Sequence, residues 1–202
     1  MAKKKYRAID LFSGCGGISK GLENTGRINI VGAIDFDQAA CNTYKKNFPK
    51  TKVICGDIND ITVESTGFRN IDIIVGGPPC QGFSRLNYWD KDRDNDPRNK
   101  LFYQYLRFVE ELQPKAILIE NVKNILITSI LNSLGYNVSH SIVCAADFGV
   151  PQLRERAIFV ALKQEYGYFD FKSLEKYRVP QVTVYEAISD IAAIEDVAKQ
   201  KP

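Results

Sequence analysis

The chain has 202 residues, of which 45% are apolar, and this is the length and composition of a single globular domain with a buried core. A formal net charge of +3 is too small to indicate a nucleic-acid partner by itself. One histidine, His140, and five cysteines without a Cys-x-x-Cys pair leave no typical zinc motif, so no metal is expected. Without a signal peptide or an apolar run of about 20 residues, the sequence predicts a soluble intracellular protein.

Short β-rich segments alternate with segments of helical periodicity along the chain. Strands are predicted over residues 6–12, 29–35, 52–55, 71–75, 115–120, 136–143 and 157–162. Helices are predicted over 18–23, after the N-cap candidate Asp37, over 99–112 and up to Leu131. Nearly continuous apolar strands separated by helices indicate an α/β fold, with a mostly parallel sheet covered by helices on both faces.

A glycine-rich turn with the sequence DLFSGCGG, residues 10–17, follows the first strand and precedes the first helix. In a doubly wound sheet this turn lies at the carboxyl edge, where ligands bind. Gly14 and Gly16 would let the backbone approach a ligand closely, although a plain tight turn explains them equally well. The turn is not a P-loop, because no Gly-Lys-Ser/Thr follows it.

The next two strands also end in residues suited to a nucleoside. Asp35 and Phe36 end the second strand, and Asp57 and Ile58 follow the third. A carboxylate can accept hydrogen bonds from ribose hydroxyls or an exocyclic amine, and an aromatic ring can stack on a base. Each feature alone is weak, but together with the glycine turn they predict a pocket for an adenosine-containing ligand.

Residues 76–84, GGPPCQGFS, follow an apolar strand and present a cysteine. The two prolines fix the backbone, and the flanking glycines would let a flat substrate approach. Cys80 is therefore interpreted as a nucleophile at a strand end. The remaining cysteines are interpreted as small buried residues: Cys15, Cys41, Cys55 and Cys144.

Two further segments carry charged candidates. Glu120 ends an apolar strand, where it is either a solvated terminus or a site residue, and its position at the same sheet edge as Cys80 favours the site. Arg154 and Arg156 lie two apart in an extended segment, so both face one side and could bind a phosphate or a base edge. Without that context the segment would be an ordinary solvated charge run.

The polar segment 87–100 contains Asp90, Asp92, Asp94 and Asp96 at alternate positions. A calcium loop is excluded, because Asn95 stands at its sixth position instead of Gly and Leu101 at its twelfth instead of Glu. A lid over the active site is the better interpretation. After Leu162 the alternation fades, and the last forty residues are interpreted as a linker.

Taken in order, DLFSGCGG, IDFD, GDI, GGPPCQGFS, IENVKNI and GVPQLRERAIFVALK resemble the successive motifs of the DNA cytosine-5 methyltransferase family, over residues 7–163. The resemblance implies a Rossmann-like, S-adenosylmethionine-dependent methyltransferase fold. It implies a catalytic domain over residues 1–163 and a linker over 164–202, toward a target-recognition region that is not part of this sequence. It also implies a cytoplasmic protein of a bacterium or phage, within a restriction–modification system.

The resemblance assigns S-adenosylmethionine as cofactor and S-adenosylhomocysteine as its product. By position, the cofactor would contact Phe12, Ser13, Gly14, Gly16, Asp35, Phe36, Asp57, Ile58, Pro79 and Leu101. Asp35 would hold the ribose hydroxyls, Phe36 would stack on adenine, and Asp57 and Ile58 would contact the adenine edge. Phe36 stands where some members of the family have Trp, a change that preserves stacking.

In the implied reaction Cys80 adds to C6 of a cytosine flipped out of double-stranded DNA, Glu120 acts at N3, and Arg154 and Arg156 contact base and phosphate. Two alternatives stay open: a tRNA cytosine-5 methyltransferase, and an inactive cofactor-binding regulatory paralogue. Residues 182–190 resemble the usual entry to the recognition domain. We therefore expect this chain to be one half of a split enzyme or a truncated product. Alone it should bind the cofactor weakly and methylate DNA at a negligible rate, and a second polypeptide should restore activity.

Overall fold

The computed structural model describes residues 5–79, 97–121 and 126–198. Its strands form one seven-stranded sheet in the order β3-β2-β1-β4-β5-β7-β6. The strands are β1 (Tyr6–Leu11), β2 (Ile28–Asp35), β3 (Lys52–Cys55), β4 (Ile73–Gly76), β5 (Ala116–Asn121), β6 (Tyr136–Cys144) and β7 (Glu155–Lys163). All seven predicted strands are present, and the α/β prediction is confirmed.

The described helices are α1 (Gly17–Asn24), α2 (Gln38–Asn47), α3 (Val63–Thr66), α4 (Pro97–Leu112), α5 (Leu126–Ser133) and α6 (Val184–Ala198). Asp37 is the N-cap of α2, as predicted, since its carboxylate accepts a hydrogen bond from the Ala40 N–H at 2.6 Å. Helix α4 begins two residues earlier than expected, because proline is favoured at a first helical position. The last four residues of the polar segment 87–100 are therefore helical. Cys80 and the four alternating aspartates of the expected lid lie outside the described residues.

The sheet is parallel from β3 to β5 and antiparallel beyond it. β1 pairs in parallel with both β2 and β4, and β4 pairs in parallel with β5. β7 then runs antiparallel to both β5 and β6. The chain order reverses between β1 and β4, so the topological switch point lies beside the glycine turn. The carboxyl ends of β1, β2, β4 and β5 consequently meet at one edge.

Apolar layers cover both faces of the sheet. On one face α4 places Tyr105, Phe108 and Val109 fully in the core. The Tyr105 hydroxyl donates to the carbonyl of Ile74 at 3.2 Å, which satisfies its polar end inside the core. On the other face Tyr44, near the end of α2, packs with Ala33 of β2 in a smaller cluster. The prediction of a sheet covered on both faces is confirmed.

The cysteine interpretation needs one correction. Cys41 is buried, and burial raises the pKa of its thiol to about 12. Cys55 and Cys144 are half-buried, whereas Cys15 is exposed. Cys15 lies on the glycine turn rather than on the inner face of a strand or helix, and for this reason the expectation that it is buried was wrong.

Residues 164–198 contain more regular structure than the fading alternation suggested. Two 3₁₀ turns, Gln164–Tyr166 and Phe171–Tyr177, precede helix α6. The sequence signal for α6 is a Thr183-x-x-Glu186 capping box, which the periodicity analysis overlooked. Among the described helices, none combines the length and the apolar character that a membrane span requires.

Candidate active site

A cavity of about 260 Å³ opens at the carboxyl edge beside the switch point. Its lining residues are Phe12, Ile34, Asp35, Phe36, Gly56, Asp57, Ile58, Pro79 and Leu101. Seven of these were named from the sequence, and the fold brings them together from β1, β2, β3, β4 and α4. Ile34 and Gly56 were missed, although each directly precedes a strand-end aspartate that was named. The volume is close to the lower end of the range for small-molecule sites, about 300 Å³.

Asp35 ties the end of β2 to the glycine turn. Its Oδ2 atom accepts a hydrogen bond from the Gly14 N–H at 2.7 Å, and its Oδ1 atom accepts one from the Asp37 N–H at 2.9 Å. Each carboxylate oxygen can accept more than one hydrogen bond. The carboxylate is thus held in place by the backbone and retains acceptor capacity toward the cavity that it lines.

Glycine is present at positions 14 and 16 of the turn for two different structural reasons. Gly14 adopts a left-handed φ of +52°, and a Cβ atom there would meet nothing within 4 Å, so its backbone is open to approach. Gly16 has a φ of +96°, and a Cβ there would lie 2.3 Å from the Phe48 ring. Gly16 is therefore required by packing against α2 and its end. Neither glycine lines the cavity, and nor does Ser13, whose hydroxyl is buried without a hydrogen-bond partner among the described residues.

Two aromatic rings border the cavity. Phe36 is 78% exposed and lines the cavity, so its ring is open to stack on a ligand. Phe12 adopts a left-handed φ of +59°, a conformation that costs a non-glycine residue about 1–2 kcal/mol. Backbone strain of this kind concentrates at binding sites, where the surrounding structure enforces it.

A buried carboxyl group lies beneath the turn and was not singled out from the sequence. Ser19 Oγ donates to Asp10 Oδ2 at 2.6 Å, and the Tyr44 hydroxyl donates to Ser19 Oγ at 2.6 Å. The Oδ1 atom of Asp10 is buried without a hydrogen-bond partner among the described residues. Burial raises the pKa of Asp10 to about 7, more than the Ser19 hydrogen bond lowers it. An aspartate inside an apolar strand was the available signal.

A second cluster of charged side chains lies at the end of β5. Glu120 Oε1 is 2.9 Å from Arg156 Nε and 3.5 Å from Arg154 Nη2. The three side chains are between 29% and 46% exposed, so they face an open surface rather than the core. Alternation along β7 and the segment before it places both arginines on one side, where the antiparallel pairing of β5 with β7 brings Glu120 to them.

The segment that leads to Cys80 runs beside this cluster. The β4–β5 register pairs Gly76 with Ile119, so Gly77 lies next to Glu120. A Cβ atom on Gly77 would be 3.3 Å from Glu120 Oε2. One residue further, the carbonyl of Pro78 accepts a hydrogen bond from the buried Asn121 amide at 2.8 Å. Asn121 was quoted from the sequence only as part of a motif, with no role of its own.

The first of the two glycines before Cys80 has a structural reason that the sequence did not suggest. Both were expected to make room for a flat substrate. A Cβ atom on Gly76 would instead lie 2.1 Å from the Leu11 carbonyl oxygen, so Gly76 is required by the close approach of β1 to β4. Only Gly77 faces the charged cluster. No group of three or more His, Cys, Asp or Glu side chains that could hold a metal was found within the described ranges.

These features define a class of protein. A doubly wound α/β sheet carries a nucleoside-sized cavity at its switch point, with a carboxylate–arginine cluster next to it on the same edge, and residues 76–79 lead from one to the other. This is the arrangement of a Rossmann-like domain with a ligand site at its topological switch point. The family model for C-5 cytosine-specific DNA methylases matches residues 6–201, and the chain belongs to that family.

Curated relatives agree with the family assignment. M1.HphI of Haemophilus parahaemolyticus, a Type II methyltransferase, is 38% identical over 169 residues, covering 77% of this chain and 45% of the relative. The Type II methyltransferase M.XorII of Xanthomonas oryzae pv. oryzae is 37% identical, covering 91% of this chain and 46% of the relative. M.NgoMIV of Neisseria gonorrhoeae, also a Type II methyltransferase, is 36% identical, covering 93% of this chain and 61% of the relative.

Solved structures give the same fold. A prophage-encoded Escherichia coli protein, assigned as a DNA modification methyltransferase, aligns with a TM-score of 0.74 at 35% identity, covering 91% of this chain and 54% of that one. The Dnmt2 methyltransferase of S. pombe aligns with a TM-score of 0.70 at 25% identity, covering 90% of this chain and 58% of that one. The chain therefore spans about half the length of these proteins and of the first two relatives.

Proposed function

We propose that this chain carries the catalytic machinery of a DNA (cytosine-5) methyltransferase that belongs to a restriction–modification system. The observation that carries the proposal is the β4–β5 register, which brings the residues leading to Cys80 alongside Glu120, with Arg154 and Arg156 paired to that carboxylate. The Type II relatives support the restriction–modification assignment.

S-adenosylmethionine is the proposed cofactor, and the cavity fits its nucleoside part. The exposed ring of Phe36 would stack on adenine, Asp35 would accept from the ribose hydroxyls, and Asp57 would accept from the adenine amine. Pro79 and Leu101 would close the cavity against water. When bound, this cofactor supplies an electrophilic methyl group on a sulfonium.

Cys80 and Glu120 are proposed to activate the base. C5 of cytosine is a poor nucleophile, and addition of the Cys80 thiolate to C6 makes C5 enamine-like. A proton shared between Glu120 and N3 of the base stabilises the adduct. C5 then takes up the methyl group, its proton leaves to a base, and the C–S bond breaks to release the Cys80 thiolate.

The arginines are proposed to serve both the carboxylate and the DNA. Arg156 Nε holds Glu120 Oε1 at 2.9 Å, which fixes the orientation of that carboxyl group. Arg154, at 3.5 Å and 46% exposed, has donors left for a phosphate or a base edge. The target cytosine must be flipped out of the duplex before these groups can reach it, which costs a few kcal/mol.

DNA binding is proposed to need a second polypeptide unit that carries the target-recognition domain. The relatives are about twice as long as the matched region, and a net charge of +3 provides little attraction for a duplex. We therefore expect the chain alone to bind the cofactor weakly and to transfer methyl groups at a negligible rate, and a complementing polypeptide to restore transfer.

The proposal predicts a specific role for Cys80. Cys80→Ala should abolish tritium transfer from labelled S-adenosylmethionine to duplex DNA in the complemented preparation, because no thiolate adds to C6. Cofactor affinity, measured by calorimetry, should stay within about threefold of wild type, because the thiol does not hold the sulfonium. A duplex with 5-fluorocytosine at the target should form a covalent adduct that peptide mapping places on Cys80.

Cys15→Ala is the matched control, since Cys15 is the exposed cysteine of the glycine turn and should remain competent in the trapping reaction. Retained turnover in Cys80→Ala, or an adduct on another cysteine, would show the mechanism to be wrong. Transfer to tRNA but not to duplex DNA would replace DNA by tRNA as the substrate.

A further inference from the structure

Helix α6 has an apolar face that packs against nothing within the described part of the chain. Every residue from 175 to 191 is exposed. Val184, Ile188 and Ile191 follow an i, i+4, i+7 spacing that places them on one face of the helix, and Tyr185 flanks them. These four side chains are between 48% and 77% exposed. A contiguous exposed apolar face on an amphipathic helix is typical of a docking surface.

The sequence specifies this helix locally, at its first turn. Thr183 Oγ1 accepts a hydrogen bond from the Glu186 N–H at 3.1 Å, and Glu186 Oε2 accepts one from the Thr183 N–H at 2.7 Å. The hydrogen bond from the Thr183 N–H lowers the pKa of Glu186. This reciprocal capping box fixes where the helix begins. Because a helix of about 15 residues without tertiary packing is marginal in water, its apolar face needs a cover.

The start of α6 is anchored close to the charged cluster of the site. The backbone carbonyl of Asp147 accepts a hydrogen bond from the Val179 N–H at 2.9 Å, and its carboxylate accepts one from the Gln181 amide at 3.0 Å. Asp147 lies in a 3₁₀ turn, Ala145–Phe148, which is bonded to the arginine segment because the Ala145 N–H donates to the Arg154 carbonyl at 2.9 Å. A polypeptide that covers α6 therefore lies beside the surface on which the flipped base would be bound.

We propose that the apolar face of α6 (Val184, Tyr185, Ile188 and Ile191) docks the polypeptide unit that corresponds to the unmatched half of the relatives. The inference rests on the proposed function. M1.HphI and M.XorII are matched over only 45% and 46% of their length, so about half of each relative lies outside the matched region. The hydrogen bonds that hold the start of α6 near Arg154 favour this polypeptide unit over a second copy of the chain. A unit that covers α6 would also reach the surface where the proposed duplex binds.

The experiment measures binding of this chain to a separately produced polypeptide, the part of M.XorII from Xanthomonas oryzae pv. oryzae that the chain does not match. Calorimetry on the wild-type chain should give a 1:1 complex. The double variant Ile188→Ala, Ile191→Ala should raise the Kd at least tenfold. Since alanine has the highest helix propensity, this loss would not come from unfolding of α6. The variant Asp190→Ala, on the opposite face, should bind within threefold of wild type.

Three outcomes would overturn the docking proposal: no 1:1 complex with the wild-type chain, equal binding by the Ile188→Ala, Ile191→Ala variant, or sedimentation that shows self-association which this variant abolishes. The last outcome would assign the face to a second copy. Titration with S-adenosylmethionine separates this proposal from the proposed function. The variant should bind the cofactor as wild type does, whereas a wild-type chain that binds none would contradict the proposed function and leave the docking result standing.

Discussion

Asp10 is a carboxyl group inside the core, directly beneath the residues proposed to hold the cofactor. Its exposed fraction is 1%, and its one described side-chain partner is the Ser19 hydroxyl, which is itself tied to Tyr44 of α2. Removal of a carboxylate from water without a cationic partner favours the neutral form, and the negative charge of Asp35 adds to this effect. The pKa of Asp10 is therefore raised from 3.8 to about 7.

This shift predicts a pH dependence of stability with a definite sign. Between pH 4 and pH 7 the folded chain keeps a proton on Asp10 that the unfolded chain has released, so stability falls as pH rises through this window and levels off above it. Relative to Asp10→Asn, which does not titrate, the free energy of unfolding of wild type should fall by on the order of 4 kcal/mol from pH 4 to pH 8. Urea denaturation at each pH measures the difference. Parallel pH profiles for the two proteins would contradict it.

At the scale of elements, the geometry of the site depends on how closely strands and helices approach one another. Gly76 lets β4 lie against the Leu11 carbonyl of β1, and the Tyr105 ring of α4 covers the same position. Because β4 leads directly into residues 77–79, this contact sets where the segment before Cys80 leaves the sheet. A change at Gly76 would therefore disturb both packing and the site.

Gly76→Ala tests this contact. The added Cβ atom would stand 2.1 Å from a backbone oxygen and 3.1 Å from the Tyr105 ring, and neither can move without shifting a strand or the core. We expect a loss of about 3 kcal/mol in the free energy of unfolding, measured by chemical denaturation.

Gly21→Ala is its control. A Cβ atom there meets nothing within 4 Å, and the residue lies inside helix α1. Because alanine is favoured over glycine in a helix, this variant should be more stable than wild type by about 0.5–1 kcal/mol. Similar stabilities for the two variants would show that the close approach of β4 to β1 is not required.

At the scale of the whole molecule, the charge and the exposed surface bear on how the chain meets DNA. The net charge is only +3, and two of the basic side chains at the site, Arg154 and Arg156, are already paired with Glu120. Phosphate contacts supply most of the affinity of DNA-binding proteins. Under the proposed function, the chain would thus supply the reacting groups but few of the phosphate contacts that retain a duplex.

The chain alone is therefore expected to bind a 20-base-pair duplex weakly. Fluorescence anisotropy at about 150 mM salt should give a Kd no tighter than the non-specific range of about 10⁻⁴–10⁻⁶ M, without preference for one sequence. Addition of the complementing polypeptide should produce tighter, sequence-dependent binding. Nanomolar, sequence-specific binding by the chain alone would contradict the proposed division of labour between catalytic and recognition units.

The sequence by itself determined the strands, most helices and the sheet edge on which the site is built. These features follow from local information: the apolar periodicity of each segment, the cap at Asp37, and the rule that the carboxyl ends of parallel strands share an edge. For this reason Asp35, Asp57 and Glu120 could be named as strand-end residues before any contact was known. Helix α6 was overlooked because its start is encoded by one pair, Thr183 and Glu186, rather than by a long periodic pattern.

Only the tertiary structure decided which distant residues meet. The hydrogen bonds of Asp10 run through Ser19 to Tyr44 of another helix. The need for glycine at position 76 depends on a carbonyl of β1, and the pairing of Glu120 with Arg156 depends on an antiparallel strand 36 positions further along. None of these contacts leaves a periodic signal, because each depends on where two segments far apart in sequence pack. The pKa of a buried carboxyl group and the requirement for a glycine both depend on that packing, so they are fixed only when the chain folds.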